Sequence, residues 1–188
     1  MMDDQMLKTL CGLPGVSGAE EPVRYEILKQ IEGHCIYRVD PLGNVLAFKK
    51  GRQEPVHSML FSAHMDEVGL IVTYIEESGL LRFTTVGGID RRVLPGKTVR
   101  IGEQPGVIGS KAVHLKSAEE KDKAPALDAL YIDIGASNRE EAEAKVTLGD
   151  RAVFCTHYCE MGDGFLRGRA LDDRLGCALL IEMLRGEL

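Results

Sequence analysis

The sequence predicts an α/β domain that is divided by a β-rich insert, and three observations indicate this fold class. Residues 1–66 and 164–188 combine helical spacing of apolar residues with an apolar, strand-like run. Residues 67–163 contain short strand-like runs separated by glycine-containing turns. With 188 residues, of which 44% are hydrophobic and 28% charged, the chain can bury a core in both parts. We therefore expect a discontinuous α/β domain with a second domain inserted through its middle.

Residues 1–66 predict two helices, one near Asp3–Cys11 and one that runs to about Glu32. Ser17 and Glu20 have the spacing of a capping box at the start of the second helix. Three strands are expected to follow: Ile36–Val39, Val45–Lys49 and Met59–Ala63. The last of these is apolar throughout, which is typical of a strand buried inside an α/β sheet.

The middle part predicts at least five strands and one helix. The strand-like runs are 68–75, 80–86, Thr98–Ile101, Gly106–Ile108 and Ala129–Ile134. Ser137 and Glu140 form a second capping-box pattern ahead of a short helix, and the polar run 116–128 predicts a loop.

The last part predicts a helix after the segment GRALDDR. Its stretch Leu175–Leu184 is apolar on nearly every side, so we expect this helix to be buried against the sheet of the first part.

Composition and charge exclude several classes of protein. Lys and Arg number 23 against 29 Asp and Glu, and no basic cluster indicates nucleic-acid binding. No apolar run approaches the roughly 20 residues of a membrane-spanning helix. The acidic N-terminal stretch does not resemble a secretory signal, and five cysteines without disulfide-framework spacing favour reduced thiols. We therefore expect a cytoplasmic protein that binds neither nucleic acid nor membranes.

His64 and Asp66 follow the predicted Met59–Ala63 strand, at the kind of sheet end where α/β proteins bind ligands. In an extended segment, residues two apart face the same side. The imidazole could then hold a metal ion through one nitrogen while the Asp66 carboxylate accepts a hydrogen bond from the other. Such a short motif is also compatible with local pairing between a histidine and an acid.

Asp172 and Asp173 stand at the junction between a loop and the last predicted helix, and two interpretations are open. They could cap the helix and favour its positive end, with Arg174 paired to one of them. Alternatively, the carboxylate of Asp172 could bridge two divalent ions, as dinuclear hydrolases require.

Cys155, His157 and Cys159 alternate in a way that suggests a zinc cluster. Structural zinc sites generally need four such ligands, and the sequence contains no second pair. If the segment is extended, the three side chains equally suit one face of an ordinary strand.

Taken together, several motifs closely resemble metallopeptidase family forty-two, the glutamyl or deblocking aminopeptidases that include TET-type enzymes. These motifs are LPGVSGAEEPVR, DPLGNVLAFKKG, SAHMDEVGLIVTYIEESGLLRFTTVGGIDRRVLPGKTV, GVIGSKAVHL, LYIDIGASNREEAEAKVTLGD and GRALDDRLGCALLIEML. The resemblance implies a phosphorylase/hydrolase-like aminopeptidase domain with an inserted dimerisation domain. It also implies a site for two divalent metal ions, zinc or cobalt.

Carried over by position, His64 resembles the family's terminal metal ligand, Asp66 its orienting catalytic carboxylate and Asp172 its bridging ligand. The family's remaining ligands and its general-base Glu follow the helix after the LDDR motif, as a Glu-Glu pair, an Asp and a His. The sequence ends at Leu188, before any of them. We therefore expect the chain by itself to be an inactive N-terminal half of a two-metal site.

The resemblance implies peptide substrates and a homo-oligomer in which dimers build toward a twelve-subunit shell. One alternative is a non-catalytic assembly module built on the insert. Another is a glycoside hydrolase of the endoglucanase type, which the absence of Trp and an aromatic content of 5% disfavour.

Overall fold

The computed structural model describes residues 4–53, 57–111 and 124–186, which have mixed α/β content and form two compact units. Unit 1 comprises Met1–Glu67 and Thr156–Leu188, and unit 2 comprises Val68–Cys155. The sequence places the second boundary after residue 163. The structure places it after Cys155, the residue whose amide still bonds to Thr98 of unit 2.

The helices are α1 (Asp4–Gly12), α2 (Glu21–Ile31), α3 (Arg139–Glu143) and α4 (Leu171–Arg185). The strands are β1 (Ile36–Val39), β2 (Val45–Phe48), β3 (Gly69–Ile75), β4 (Leu81–Val86), β5 (Thr98–Ile101), β6 (Gln104–Ser110), β7 (Leu130–Asp133), β8 (Arg151–Phe154), β9 (Cys159–Met161) and β10 (Phe165–Arg167). In the described part of the chain, no helix is both long and apolar enough to span a bilayer.

Unit 1 is held together by helix packing. Helix α4 packs against α1 and α2, and its buried residues Cys177, Ala178 and Ile181 share a core with Leu10 and Val23. Two antiparallel hairpins, β1–β2 and β9–β10, complete the unit. The prediction that the last helix packs on a sheet is therefore wrong, because the described residues of unit 1 form only these two-stranded hairpins.

The predicted buried strand Met59–Ala63 is also wrong. The segment has no regular secondary structure, and Met59, Leu60 and Phe61 are 79%, 94% and 51% exposed. A strand needs a neighbour that accepts and donates main-chain hydrogen bonds, and no strand in the described residues pairs with this segment. Apolar composition alone therefore does not bury the run.

Unit 2 is a closed antiparallel barrel with strand order β3-β4-β7-β6-β5-β8. Alternate residues point inward, so that fully buried Leu70, Leu81, Ile108 and Ile132 fill its centre. The strands predicted for the middle part are confirmed. Residues 112–123, which hold most of the predicted polar loop, lie outside the described residues; the end of that run forms a single 3₁₀ turn (Leu127–Ala129).

Helix α3 is capped one residue later than the sequence suggests. Asn138 accepts a hydrogen bond from the amide of Glu141 (2.9 Å), and the Glu141 carboxylate accepts one from the amide of Ser137 (2.9 Å). Asn138 is the capping residue because its backbone is extended and α3 begins directly after it.

Candidate metal-binding site

The structure brings together three side chains that the sequence selects as candidates, all of them in unit 1. His64 and Asp66 lie at the end of the irregular segment 57–66, and Asp172 lies in the first turn of α4. Their side chains are 55%, 38% and 96% exposed, respectively. The group is therefore open to solvent.

The imidazole of His64 lies between two carboxylates. Its Nδ1 is 3.0 Å from Oδ1 of Asp66, and its Nε2 is 3.0 Å from Oδ1 of Asp172. When Nδ1 carries the proton, it donates a hydrogen bond to the main-chain carbonyl oxygen of Asp66 (3.3 Å), the Asp66 carboxylate lies beside it, and the lone pair of Nε2 points toward Asp172. One side of the ring thus lies beside Asp66, two residues along the chain, and the other side faces Asp172, which is 108 positions away.

Asp172 and Asp173 differ in what their carboxylates contact. Oδ1 of Asp173 accepts a hydrogen bond from the amide of Gly176 (2.9 Å), which caps the helix. Asp172 has a non-helical backbone (φ −91°, ψ 104°), and its carboxylate is directed at His64. A side chain at Gly176 would collide with the Asp173 carboxylate, so glycine is needed there for this cap.

The charge around His64 favours its protonated form. Partial burial lowers the pKa of His64, but the hydrogen bond to Asp172 and the interactions with Asp66 outweigh this effect. The net result is a pKa above the ordinary value for histidine. Both ring nitrogens can then donate to a carboxylate when no cation is bound.

Ser17 is a site residue that the sequence analysis assigned to another role. Its hydroxyl donates to Oδ2 of Asp66, while α2 begins after Glu20 without a side-chain cap. The carboxylate of Glu20 instead accepts from the amide of Gly18 (2.7 Å). No local signal identifies Ser17, because its partner lies 49 positions along the chain. Ser17 holds the oxygen of Asp66 that does not face the imidazole.

Helix α4 also contacts the backbone next to the site. The thiol of Cys177 donates to the carbonyl oxygen of His64 (3.3 Å). Burial raises the pKa of Cys177 to about 11, so this thiol is a protonated donor at neutral pH. Directly after Asp66, the carboxylate of Glu67 is buried against Arg169 and Arg174, which lie on either side of Asp172 in the sequence.

The candidate zinc cluster of Cys155, His157 and Cys159 has no support in the structure. Only Cys159 lies in a strand, so the three side chains do not share a strand face. Across residues 4–53, 57–111 and 124–186, no group of three or more His, Cys, Asp or Glu side chains could hold a metal ion.

The chain matches the family described as M42 glutamyl aminopeptidase over residues 43–186. Lysyl aminopeptidase of Pyrococcus furiosus is 33% identical over 196 residues, which cover 98% of this chain and 55% of that protein. The Pyrococcus horikoshii TET1 peptidase, which assembles into a tetrahedron or a large octahedral shell, is 40% identical with a TM-score of 0.85. That match covers 96% of this chain and 55% of the other.

A third similar structure is named as an endoglucanase from Thermotoga maritima. It is 42% identical with a TM-score of 0.83, and the match covers 98% of this chain and 54% of the other. The chain therefore spans about half the length of the relatives it matches. Because the family match extends over most of the chain and includes His64, Asp66 and Asp172, the chain belongs to the M42 glutamyl aminopeptidase family.

Proposed function

We propose that this chain contributes part of the active site of a metal-dependent aminopeptidase, which removes N-terminal residues from peptides. The observation that carries the proposal is the imidazole of His64, with one nitrogen held by Asp66 and the other directed at Asp172. Family membership and the named lysyl aminopeptidase support peptide hydrolysis as the reaction.

The donor atoms suit a divalent cation, although their number is small. An imidazole nitrogen and a carboxylate oxygen are ordinary zinc ligands, and Asp66 provides the outer hydrogen bond that fixes the tautomer of a ligating histidine. A catalytic zinc ion normally has at least three protein ligands. We therefore propose that His64 and Asp172 are two members of a larger set, the rest of which lies outside the described residues.

In this proposal each residue has a separate task. Nε2 of His64 would be a terminal metal ligand, and the carboxylate of Asp172 would be a ligand that two ions share. Asp66 holds the proton on Nδ1, and Ser17 keeps the Asp66 carboxylate in place. When bound, two zinc or cobalt ions would supply an activated water and polarise the scissile carbonyl. A general base to take the proton of that water is not among the residues assigned here.

Metal binding by the purified chain tests the assignment. We expect weak cobalt binding, detected by visible absorption and calorimetry, that His64→Ala or Asp172→Ala abolishes. His34→Ala is the matched control, because His34 is exposed and remote in sequence from the candidate ligands. Equal loss of binding in His34→Ala and His64→Ala would contradict the assignment.

Hydrolysis by the chain alone should be slow or absent. We expect no turnover of aminoacyl-anilides near the roughly 10 per second of an ordinary enzyme, with or without added zinc or cobalt. Turnover at that rate would show that the present residues suffice, and the proposal of an incomplete ligand set would be wrong.

A glycoside hydrolase activity is the alternative raised by the name of the Thermotoga maritima structure. Glycosidases place a sugar between two carboxyl groups. Here the His64 ring fills the space between Asp66 and Asp172, so this pair cannot hold a sugar between its members. Release of reducing sugar from a soluble glucan, unaffected by a chelator, would favour the glycosidase instead.

We also propose that the chain forms homo-oligomers through unit 2, in support of which the similar Pyrococcus horikoshii peptidase assembles into shells. Light scattering after size exclusion tests this proposal, and a monomer at micromolar concentration would contradict it. Stable oligomers without metal binding would favour the non-catalytic assembly module.

The five free cysteines support a reducing, cytoplasmic location.

A further inference from the structure

Three charged side chains next to the candidate site are almost completely buried, and we call them the Glu67 ion cluster: Glu67, Arg169 and Arg174. Their side chains are 4%, 10% and 0% exposed. A buried charge is costly unless it is paired, so a cluster this well buried needs a physical explanation.

Glu67 contacts both arginines. Its Oε2 is 3.0 Å from Nε of Arg169, and its Oε1 is 3.8 Å from Nη2 of Arg174. Burial lowers the pKa of Arg174, and the charge of Glu67 opposes this effect. The carboxylate is therefore the counter-charge for two guanidinium groups that are withdrawn from water.

The arginines also bind main-chain carbonyls at the end of α1. Nη1 of Arg174 donates to the carbonyl of Leu10 (2.6 Å), and Nη2 of Arg169 donates to that of Leu13 (2.8 Å). The end of α1 is thereby tied to the segment that carries Asp172.

Gly15 ties the same region to Glu67. Its amide donates to Oε1 of Glu67 (3.0 Å), and its carbonyl accepts from the amide of Glu67 (2.8 Å). A Cβ atom at Gly15 would lie 2.5 Å from Nη2 of Arg174, so the missing side chain leaves the space that the guanidinium occupies.

The cluster has a distinctive position relative to the candidate ligands. Glu67 directly follows Asp66, while Arg169 and Arg174 stand three residues before and two residues after Asp172. The Glu67 carboxylate thus connects the segment that carries His64 and Asp66 to the residues on both sides of Asp172.

We propose that Glu67 is a positioning residue, which acts through Arg169 and Arg174 to hold the His64 and Asp172 segments at the spacing that a shared cation requires. The inference rests on the proposed function for the identity of the cation. Whether Glu67 fixes the two segments relative to each other can be measured without metal.

The test compares Glu67→Gln with the native chain by amide hydrogen exchange in the absence of metal. Gln has nearly the same shape and can still accept from Gly15, but it removes the counter-charge. Two amides report the segments: that of Glu67, bonded to Gly15, and that of Arg174, bonded to Ala170 (3.1 Å). We expect their exchange to accelerate about tenfold or more, while α2 and the barrel keep native rates.

Glu76→Gln is the matched control. Glu76 also pairs with an arginine, Arg82, but it lies in unit 2. This control should leave exchange at the reporter amides of Glu67 and Arg174 unchanged. Unchanged exchange in Glu67→Gln would overturn the proposal, and so would acceleration spread evenly over unit 1, because that result indicates a general structural role.

Cobalt titration gives the second readout. Where the native chain binds cobalt, Glu67→Gln should weaken binding about 10- to 100-fold, the range found for residues that support metal ligands. If the native chain binds no cobalt, the proposed function fails, and hydrogen exchange still decides the positioning role. Undiminished cobalt affinity in Glu67→Gln would overturn the positioning role.

Arg169→Lys is the milder variant if Glu67→Gln does not fold. Lysine keeps the charge next to Glu67 but loses the guanidinium that reaches Leu13. We expect the same two segments to loosen by a smaller factor, and native exchange rates in both would count against the proposal.

Discussion

Replacing Leu81 by Ala tests whether the barrel of unit 2 depends on the contact that joins β4 to β7. Leu81 is 0% exposed and pairs with Ile132 across β4 and β7 and with Ile75 across β3 and β4. Both partners are buried, at 0% and 3% exposure, so residues on either side are held by strand pairing and cannot move far into the space that Ala leaves.

The expected cost follows from that packing. A buried Leu→Ala change costs about 2–5 kcal/mol, and sites that cannot collapse lie at the upper end. We therefore expect Leu81→Ala to lower the free energy of unfolding of unit 2 by about 3–5 kcal/mol, out of roughly 5–15 kcal/mol for a typical domain. For a domain of this size, each kcal/mol corresponds to about 4–8 °C in Tm.

The assay is urea unfolding followed through NMR signals of barrel methyl groups, because a global signal would combine the unfolding of both units. Leu148→Ala is the matched control, since Leu148 belongs to the same unit and is 62% exposed. It should change stability by less than about 0.5 kcal/mol. Equal midpoints for the two variants would refute the argument that Leu81 fills the barrel interior.

Three further predictions concern the site, a turn and the cysteines. Asp66→Asn should weaken cobalt binding about 10- to 100-fold, because the amide lacks the charge that faces the imidazole; unchanged affinity in the cobalt titration would contradict this. Gly79→Ala should cost unit 2 at least about 1–2 kcal/mol more than Gly135→Ala in urea unfolding. Both glycines have positive φ (+86° and +73°), but only at Gly79 would a Cβ meet a carbonyl oxygen at 2.6 Å, and equal costs would refute this reason. Since burial raises the pKa of Cys177 to about 11, only about one-thousandth of it is thiolate at pH 8. A disulfide reagent followed by peptide mass spectrometry should modify exposed Cys155 first, with Cys177 gaining reactivity as the pH rises toward 11; equal rates at pH 8 would contradict this.

Five of the six barrel strands could be predicted because their signal is local, whereas β8 (Arg151–Phe154) was not among the predicted runs. Apolar, strand-like runs in β3 and β4, with glycines in the turns between strands, indicate strands whichever neighbours they pair with. The segment Met59–Ala63 carries an equally strong apolar signal but is exposed, because a strand is completed by a partner rather than by its own composition.

The candidate site was only partly predictable. His64 and Asp66 are only two residues apart in the chain, so their contact is local and could be expected from the sequence. Sequence reasoning could not decide which of Asp172 and Asp173 caps the helix, because adjacent identical side chains are distinguished only by their backbone angles. It assigned Ser17 to a helix cap, since its actual partner Asp66 is distant in the sequence.

The sequence by itself determined most of the barrel strands, because these depend on residue types at short, fixed spacings, while the resemblance of longer motifs identified the family and the candidate ligands. Only the tertiary structure decided that Asp172 faces His64, that Glu67 lies between two buried arginines and that an apolar run stays exposed. These outcomes depend on which distant segments the fold brings within 3–4 Å, where hydrogen bonds and ion pairs form and beyond which their energy falls steeply.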